Sequence, residues 1–547
     1  MSGVGERFRQ AGYRVPKALI EIDGKPIVQY VAEMFPGETN FIFVCNREHL
    51  ADPNLSMRQT LDRICPRAKV VAIAPHKLGP VHTVLQAIDA VDPLQPTIVN
   101  YCDFTCDWDY GDFRKQVNAS GCDGAIPCYR GFHPHTVWSS YYAYVRESGL
   151  RALDVQEKQP FTPNPREEFA SSGTYYFRTG ALMRQYFEQC VAEKLMVGNE
   201  YYVSMTYQPM IADGRSVLVY ELQHFMQWGT PADLEEYQSW SAAFRALTCK
   251  RAPARHSGAL LVPMAGLGER FARAGYTTSK PLIEVDGQAM AARAVADLPV
   301  ADRQRFVLRS DMPGRNELVS RLQRVASHPD VLILAGPTDG QATTCVEGAA
   351  GLDPAAPVTI GACDNGMIYD ARAFEALLAD SRVDVIVWGA RGYPGARHNP
   401  KMYGWIDADS SNDRIRSVSV KEPLGDPAND PIVVGTFTFR RLSDLLACID
   451  RMKNRQARVN EEYYVDTAIN DAVALGLACR LFEINHYICW GTPDDLRTYQ
   501  YWQQCFHHWP SHPYRLQDDP HVPASKVAEL AAPSSVCPIV APPWASS

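Results

Sequence analysis

One segment occurs twice, and that repetition limits what the chain can fold into more than any other feature. The first occurrence reads Met1-Ser2-Gly3-Val4-Gly5-Glu6-Arg7-Phe8, then Ala11-Gly12-Tyr13, then Pro16-Lys17-Ala18-Leu19-Ile20-Glu21-Ile22-Asp23-Gly24. The second runs from Ala265-Gly266-Leu267-Gly268-Glu269-Arg270-Phe271 to Lys280-Pro281-Leu282-Ile283-Glu284-Val285-Asp286-Gly287. Gly3 and Gly266, Arg7 and Arg270, Lys17 and Lys280, and Gly24 and Gly287 are each 263 positions apart. A constant offset over this length marks a tandem duplication. The 547 residues divide accordingly. We expect one domain over 1–248, a basic linker over 249–258, a second domain over 259–510, and a disordered Pro-, Ala- and Ser-rich tail over 511–547.

The repeated segment has its own chemistry. In the second copy an apolar run (Leu260, Leu261, Val262) breaks into a glycine loop and then a helix start. Gly3, Gly5, Gly266 and Gly268 carry no Cβ, so backbone N–H groups there can approach phosphate oxygens. Arg7 and Arg270 add a bidentate cation, and Lys17 and Lys280 a point charge. The first copy has no residues in the place of the strand before the loop, and we expect the native start to lie upstream.

Short apolar runs alternate with helical spacing through both copies, which predicts an α/β fold with helices on both faces of each sheet. Such sheets bind ligands at the carboxyl ends of their strands. The run Pro96 to Asn100 leads to Asp103, and Thr359 to Ala362 leads to Asp364, so each copy places a carboxylate at that edge.

Loop, Arg, Lys and the following Leu-Ile-Glu run with its Asp-Gly turn resemble the signature of nucleotidylyltransferases that activate sugar phosphates and related small phosphates. The resemblance covers roughly residues 1–240 and 258–503. It implies two tandem doubly wound domains, GT-A-like and Rossmann-like, with mixed, mainly parallel sheets. It also implies an Mg²⁺-dependent transfer of NMP from an NTP to a small phosphorylated acceptor, with release of pyrophosphate. On this resemblance Arg7, Lys17, Arg270 and Lys280 handle the reacting phosphates. Gly79 and Gly340, with the loop glycines, contact the nucleotide, and Asp103 and Asp364 hold Mg²⁺. Glu157, Lys158 and Gly173 line the acceptor site of the first copy, and Lys421, Glu422 and Gly435 that of the second. Relatives commonly place a second metal-binding Asp where this chain has Gln227 and Cys489, neither a good hard-cation ligand. Glu200 and Asp107 are the candidate substitutes.

Two rival readings follow from the same residues. A GT-A glycosyltransferase would use Asp107-Trp108-Asp109 as its metal motif, although copy two has no matching pair. A regulatory protein that binds nucleotides without turnover would keep the glycine loop. A net charge of −8 argues against a nucleic-acid binder. Fifteen scattered cysteines without paired spacing read as reduced thiols of a cytoplasmic protein. No apolar run is long enough for a membrane span. The sequence leaves the oligomeric state, the base of the NTP and the acceptor open. Asn199 is expected to cap a helix.

Overall fold

The strands Gly124–Tyr129 and Val385–Ala390 are buried at every residue, so each stands inside a sheet covered on both faces. The computed structural model describes residues 1–532 except 2, 4 and 141. Contacts divide the chain into two compact units, Met1–Gln238 and Ser239–Ser547. The division falls inside the helix Pro231–Leu247, short of the expected boundary at 248.

Unit 2 carries the full pattern in one sheet, ordered Pro329–Leu334, Val300–Arg309, Arg255–Pro263, Val358–Ile360, Ile432–Phe439, Val385–Ala390, Cys479–Glu483. The first four pair in parallel. Ile432–Phe439 then runs antiparallel to both its neighbours, and the hairpin Gly404–Ala408 with Ile415–Val420 hangs from it. Two apolar layers cover the faces, one around Leu261, Val387 and Phe437, the other around Leu260, Phe306 and Trp388.

Unit 1 follows the same order without a counterpart of Arg255–Pro263 among the described residues. Ile42–Asn46 pairs in parallel with Lys69–Ile73 and with nothing else among the described residues. Thr97–Asn100 edges a separate seven-stranded sheet. Between these two places unit 2 has Arg255–Pro263. The sheet of unit 1 is mixed, with a parallel pair Val217–Glu221 and Gly124–Tyr129 among antiparallel neighbours.

Three expectations need correction. The linker is shorter than 249–258, because the strand begins at Arg255. Its polar composition hides two buried residues: Ala254 is fully buried, and the imidazole of His256 lies 3.0 Å from the Thr359 hydroxyl. The tail is ordered to residue 532. Tyr514, Leu516 and Asp519 are all buried, and the described part includes the short helix Val527–Ala531. Residues 533–547 of the expected disordered tail lie outside the described residues. Finally, Asn199 starts no helix. Val197 and Glu200 bridge a tight turn, and helical structure begins at Ser204. The equivalent turn in unit 2 holds Asn460 and Glu461 at φ 49° and 64°, a left-handed pair that a helix excludes.

What holds the repeated segment in place is the same in both units. The Asp-Gly turn is left-handed at Asp23 and Asp286, with φ of 49° and 55°. Tyr237 donates to Asp23 at 2.7 Å, and Tyr499 donates to Asp286 at 2.7 Å. Each long closing helix is thereby tied to the turn that follows the lysine. No helix among the described residues is long and apolar enough to cross a membrane.

Candidate active site

The lysine and the strand-end aspartate come together in both units. Lys17 Nζ donates to Asp103 Oδ2 at 3.0 Å and to the Gly229 carbonyl at 2.9 Å. Lys280 Nζ donates to Asp364 Oδ2 at 2.6 Å and to the Gly491 carbonyl at 3.1 Å. A phenylalanine flanks each ammonium, Phe8 at 5.3 Å and Phe271 at 5.7 Å. Burial pulls the pKa of both lysines down, but the partner aspartate more than offsets it, so both are held above the ordinary value. Both lysines therefore stay cationic at neutral pH.

Local structure explains the convergence. Gly5 and Gly268 are left-handed at φ 63° and 67°, just before the short helices Glu6–Gln10 and Glu269–Arg273. A Cβ on Gly268 would lie 3.0 Å from the Lys280 Cβ, so the loop folds directly over the lysine. Gly3 and Gly266 leave open space around them. On the other side, the strand-end aspartates are pinned through their backbones: Trp228 N–H donates to the Asp103 carbonyl at 2.7 Å, and Trp490 N–H to that of Asp364 at 2.9 Å.

Around this pair lies a second cluster. Lys158 and Lys421 are left-handed at φ 62° and 61°. Each ammonium meets a tyrosine, Lys158 donating to Tyr202 at 2.5 Å and Lys421 to Tyr464 at 3.2 Å. Those tyrosines donate onward to Glu200 and Glu462. Burial first, and then the charge of Arg270, lowers the Lys421 pKa. Arg270 and Lys421 thus face one region, where two neighbouring cations favour an anionic ligand. Arg7 likewise acts on both Lys17 and Tyr202.

Other expected residues take different places. Gly79 and Gly340 open helices, and a Cβ on either would strike the Tyr201 or Tyr463 backbone at 2.7 or 2.5 Å. Close chain packing thus requires glycine there. Glu157 accepts from the Ser204 hydroxyl at 2.6 Å, and burial pushes its carboxyl up to about 7. Glu422 is exposed and lies beyond the strand Ile415–Val420; the residue in register with Glu157 is Val420. Gly173 and Gly435 are left-handed at φ 98° and 80° beside Tyr101 and Ala362.

The candidate substitutes for the second metal ligand do not join Asp103. Glu200 accepts from Tyr202. Asp107 sits at the far end of the strand Phe104–Asp107, opposite His224, about 13 Å along extended backbone from Asp103. Asp109 caps the helix Tyr110–Ser120 by accepting from Asp112 N–H at 2.8 Å. The Asp-Trp-Asp motif of the glycosyltransferase reading is therefore a strand end and a helix cap.

Gln227 and Cys489 instead serve an aspartate that the sequence reading missed. Gln227 donates to Asp233 at 2.5 Å, and the Cys489 thiol lies 3.6 Å from Asp495. Burial raises both carboxyl pKa values. Each is also the third residue of its helix, closing a reciprocal cap with Thr230 or Thr492. The signal was present in the sequence as Gly-Thr-Pro followed by Asp at 229–233 and 491–495.

Among the described residues no group of three His, Cys, Asp or Glu side chains could by itself hold a metal ion. Asp103 and Asp364 each offer one half-exposed carboxylate at the site. Mg²⁺ is commonly held by one or two carboxylates with waters and substrate phosphates, so the donor set fits that ion.

Residues 1–161 match the MobA-like NTP transferase domain. Over those residues the resemblance to nucleotidylyltransferases is borne out. The NTP-transferase match contains Lys17, Asp103, Glu157 and Lys158. Solved structures similar to this chain include a nucleoside-diphosphate-sugar pyrophosphorylase from Vibrio cholerae RC9, at 20% identity over 44% of this chain and 98% of that one, with a TM-score of 0.36. The inositol-1-phosphate CTP transferase from T. maritima aligns at 12% identity, over 46% and 96%, with a TM-score of 0.35. A UDP-glucose pyrophosphorylase from Acinetobacter aligns at 20% identity, over 43% and 88%, with a TM-score of 0.33. No curated protein matches the chain by sequence.

Proposed function

We propose that each unit is a nucleotidylyltransferase, transferring NMP from an NTP to a sugar phosphate or similar small phosphate. The observation that carries this is the Lys–Asp–Gly carbonyl arrangement, built twice from the same elements: Lys17, Asp103 and Gly229, and Lys280, Asp364 and Gly491. The NTP-transferase match of residues 1–161 supports it.

In the reaction an oxygen of the acceptor phosphate attacks the α-phosphorus. The bond from that phosphorus to the bridging oxygen of the β-phosphate breaks, and pyrophosphate leaves with the electron pair. The acceptor is already an anion, so no protein nucleophile is needed; the site supplies alignment and neutralises charge. Arg7 and Arg270 bind the triphosphate. Lys17 and Lys280, kept cationic by their aspartates, contact phosphate at the reacting centre. Asp103 and Asp364 would hold Mg²⁺, which when bound neutralises phosphate charge. Lys158 and Lys421 hold the acceptor phosphate beside Tyr202 and Tyr464, and Glu157 faces the acceptor's hydroxyls. Gly3, Gly5, Gly266 and Gly268 leave the loop backbone open to the nucleotide, while Gly79 and Gly340 set the helices behind it. Cytoplasmic activity on soluble small molecules completes this reading.

The test is pyrophosphate release from the full chain with Mg²⁺, each of the four NTPs, and a panel of sugar and polyol phosphates. The expected result is release that depends on one NTP together with an acceptor. NTP binding without release on any acceptor would contradict it and favour a sensing role.

A further inference from the structure

The walls of the two acceptor sites differ in a coordinated way. In unit 1 Tyr101 fills the space before Gly173, where an added Cβ would lie 3.1 Å from its ring. Its hydroxyl accepts from Val203 N–H at 3.3 Å, and it lies within electrostatic reach of Glu157 and Tyr202. The phenol therefore spans the site from the glycine strand to the start of the helix. In unit 2 Ala362 stands in its place, 3.2 Å from the Cβ position of Gly435. No side chain caps the helix Val465–Ala474 that begins opposite.

Two further exchanges lie beside this one. Phe104, whose ring also approaches Gly173, is replaced by Asn365. Asn365 is 2% exposed, and its Nδ2 donates to the Val434 carbonyl at 3.0 Å. Its Oδ1 has no hydrogen-bond partner among the described residues. A buried acceptor left unpaired is costly, and a hydroxyl-bearing ligand entering beside it would remove that cost. The buried acid, meanwhile, changes walls. Unit 1 has Glu157 on a strand, facing Ser204 and paired across from Ala143. Unit 2 has Val420 on that strand, paired across from Gly404. There the acid is Asp466 on the helix, whose carboxylate lies 2.5 Å from where a Gly404 Cβ would be.

We infer that the two units use acceptors of different size, unit 1 a compact phosphate and unit 2 a bulkier, more hydroxylated one. The removal of a phenol enlarges the second site, and Asn365 and Asp466 supply hydroxyl-binding groups where unit 1 has a ring and a serine. This rests on the nucleotidylyltransferase reading of both units.

The test isolates each site in the full chain: Lys280→Ala leaves unit 1, and Lys17→Ala leaves unit 2. For each, kcat/KM for pyrophosphate release is measured with glycerol 3-phosphate and with glucose 1-phosphate, using the NTP that supports release by the unmutated chain. The ratio of hexose to triol phosphate is expected to be at least about tenfold higher for unit 2. Adding Ala362→Tyr to the unit 2 enzyme should lower its ratio by about tenfold, and adding Tyr101→Ala to the unit 1 enzyme should raise its ratio. Equal ratios in the two isolated sites, or ratios that ignore both substitutions, would overturn the inference alone. No release from the unmutated chain with any acceptor would overturn the nucleotidylyltransferase reading, and this inference with it.

Discussion

Unit 1 and unit 2 hold the same lysine against the same aspartate and the same glycine carbonyl, yet the structure behind that pair is built differently. In unit 1 the helix after the Asp-Gly turn carries Tyr30, which donates to the Ile22 carbonyl at 2.8 Å and packs edge-on to Trp228. In unit 2 the corresponding residue is Arg293, fully buried beside Trp490 and paired at 2.8 Å with both Asp286 and Asp297. The segment after residue 510 joins that cluster, with His521 3.2 Å from Asp297 and 3.0 Å from Asp519. One copy supports its site with an aromatic contact and the other with a buried charge network that recruits a C-terminal segment. The Lys–Asp–Gly carbonyl arrangement differs little between the two units, whereas its supports and the residues beside Gly173 and Gly435 differ.

The largest expected effect comes from breaking the network that only unit 2 has. Arg293→Met leaves Asp286 buried without its cation and Asp297 with His521 alone, and should destabilise unit 2 by about 3–5 kcal/mol. Chemical denaturation, followed by limited proteolysis to assign the unit, would check it. An equal loss in unit 1 would contradict the separation of the two supports.

The pH response should separate the units next. His521 is held up to about 9 by its two aspartates against the opposing effects of burial and Arg293. Its folded pKa is raised, so its stabilisation is complete below the unfolded value near 6.5 and is lost as pH rises through about 9. The span corresponds to up to ~3 kcal/mol, in unit 2 only. His521→Ala should flatten that part of the profile of melting temperature against pH. The buried carboxyls act lower on the scale. Burial raises Glu157 to about 7 and Asp466 to about 6. For a carboxyl with a raised folded pKa, stability falls as pH climbs from the unfolded value, near 4, to the folded one. Glu157→Gln and Asp466→Asn should remove that fall from units 1 and 2 respectively.

Smaller effects sharpen the comparison of the walls. Gly404→Ala forces a methyl against the Asp466 carboxylate and should cost unit 2 about 1–3 kcal/mol, together with weaker use of the acceptor; unit 1 already has Ala143 in that register. Tyr30→Phe removes one hydrogen bond and should cost unit 1 about 1 kcal/mol, readable as a small shift in denaturation midpoint.

Much of this organisation was legible in the sequence because it rests on local signals. The glycine loop, the lysine ten residues after its arginine, and an aspartate ending an apolar strand all have fixed spacing, and they recur at a near-constant offset. What depended on distant partners was not legible. The segment from 511 to 532 looked unstructured because its anchors are single residues: His521 meets Asp297 far back in the chain, and both His521 and Tyr514 hold Asp519. Glu422 looked equivalent to Glu157 because both adjoin a lysine, but strand pairing puts Val420 in that register. The acid of unit 2 comes from another element altogether. Asp107 and Asp109 looked like a metal motif until a strand placed one far from Asp103 and a helix used the other as its cap.

The central claim is that the Lys–Asp arrangement in each unit is a working nucleotidylyl-transfer site. The most direct measurement is pyrophosphate release by the unmutated chain, Lys17→Ala, Lys280→Ala and the double variant, with circular dichroism confirming that each is folded. The account predicts that each single variant keeps the activity of the other unit and that the double variant loses at least about 10³-fold in turnover. Undiminished release by the folded double variant would contradict it.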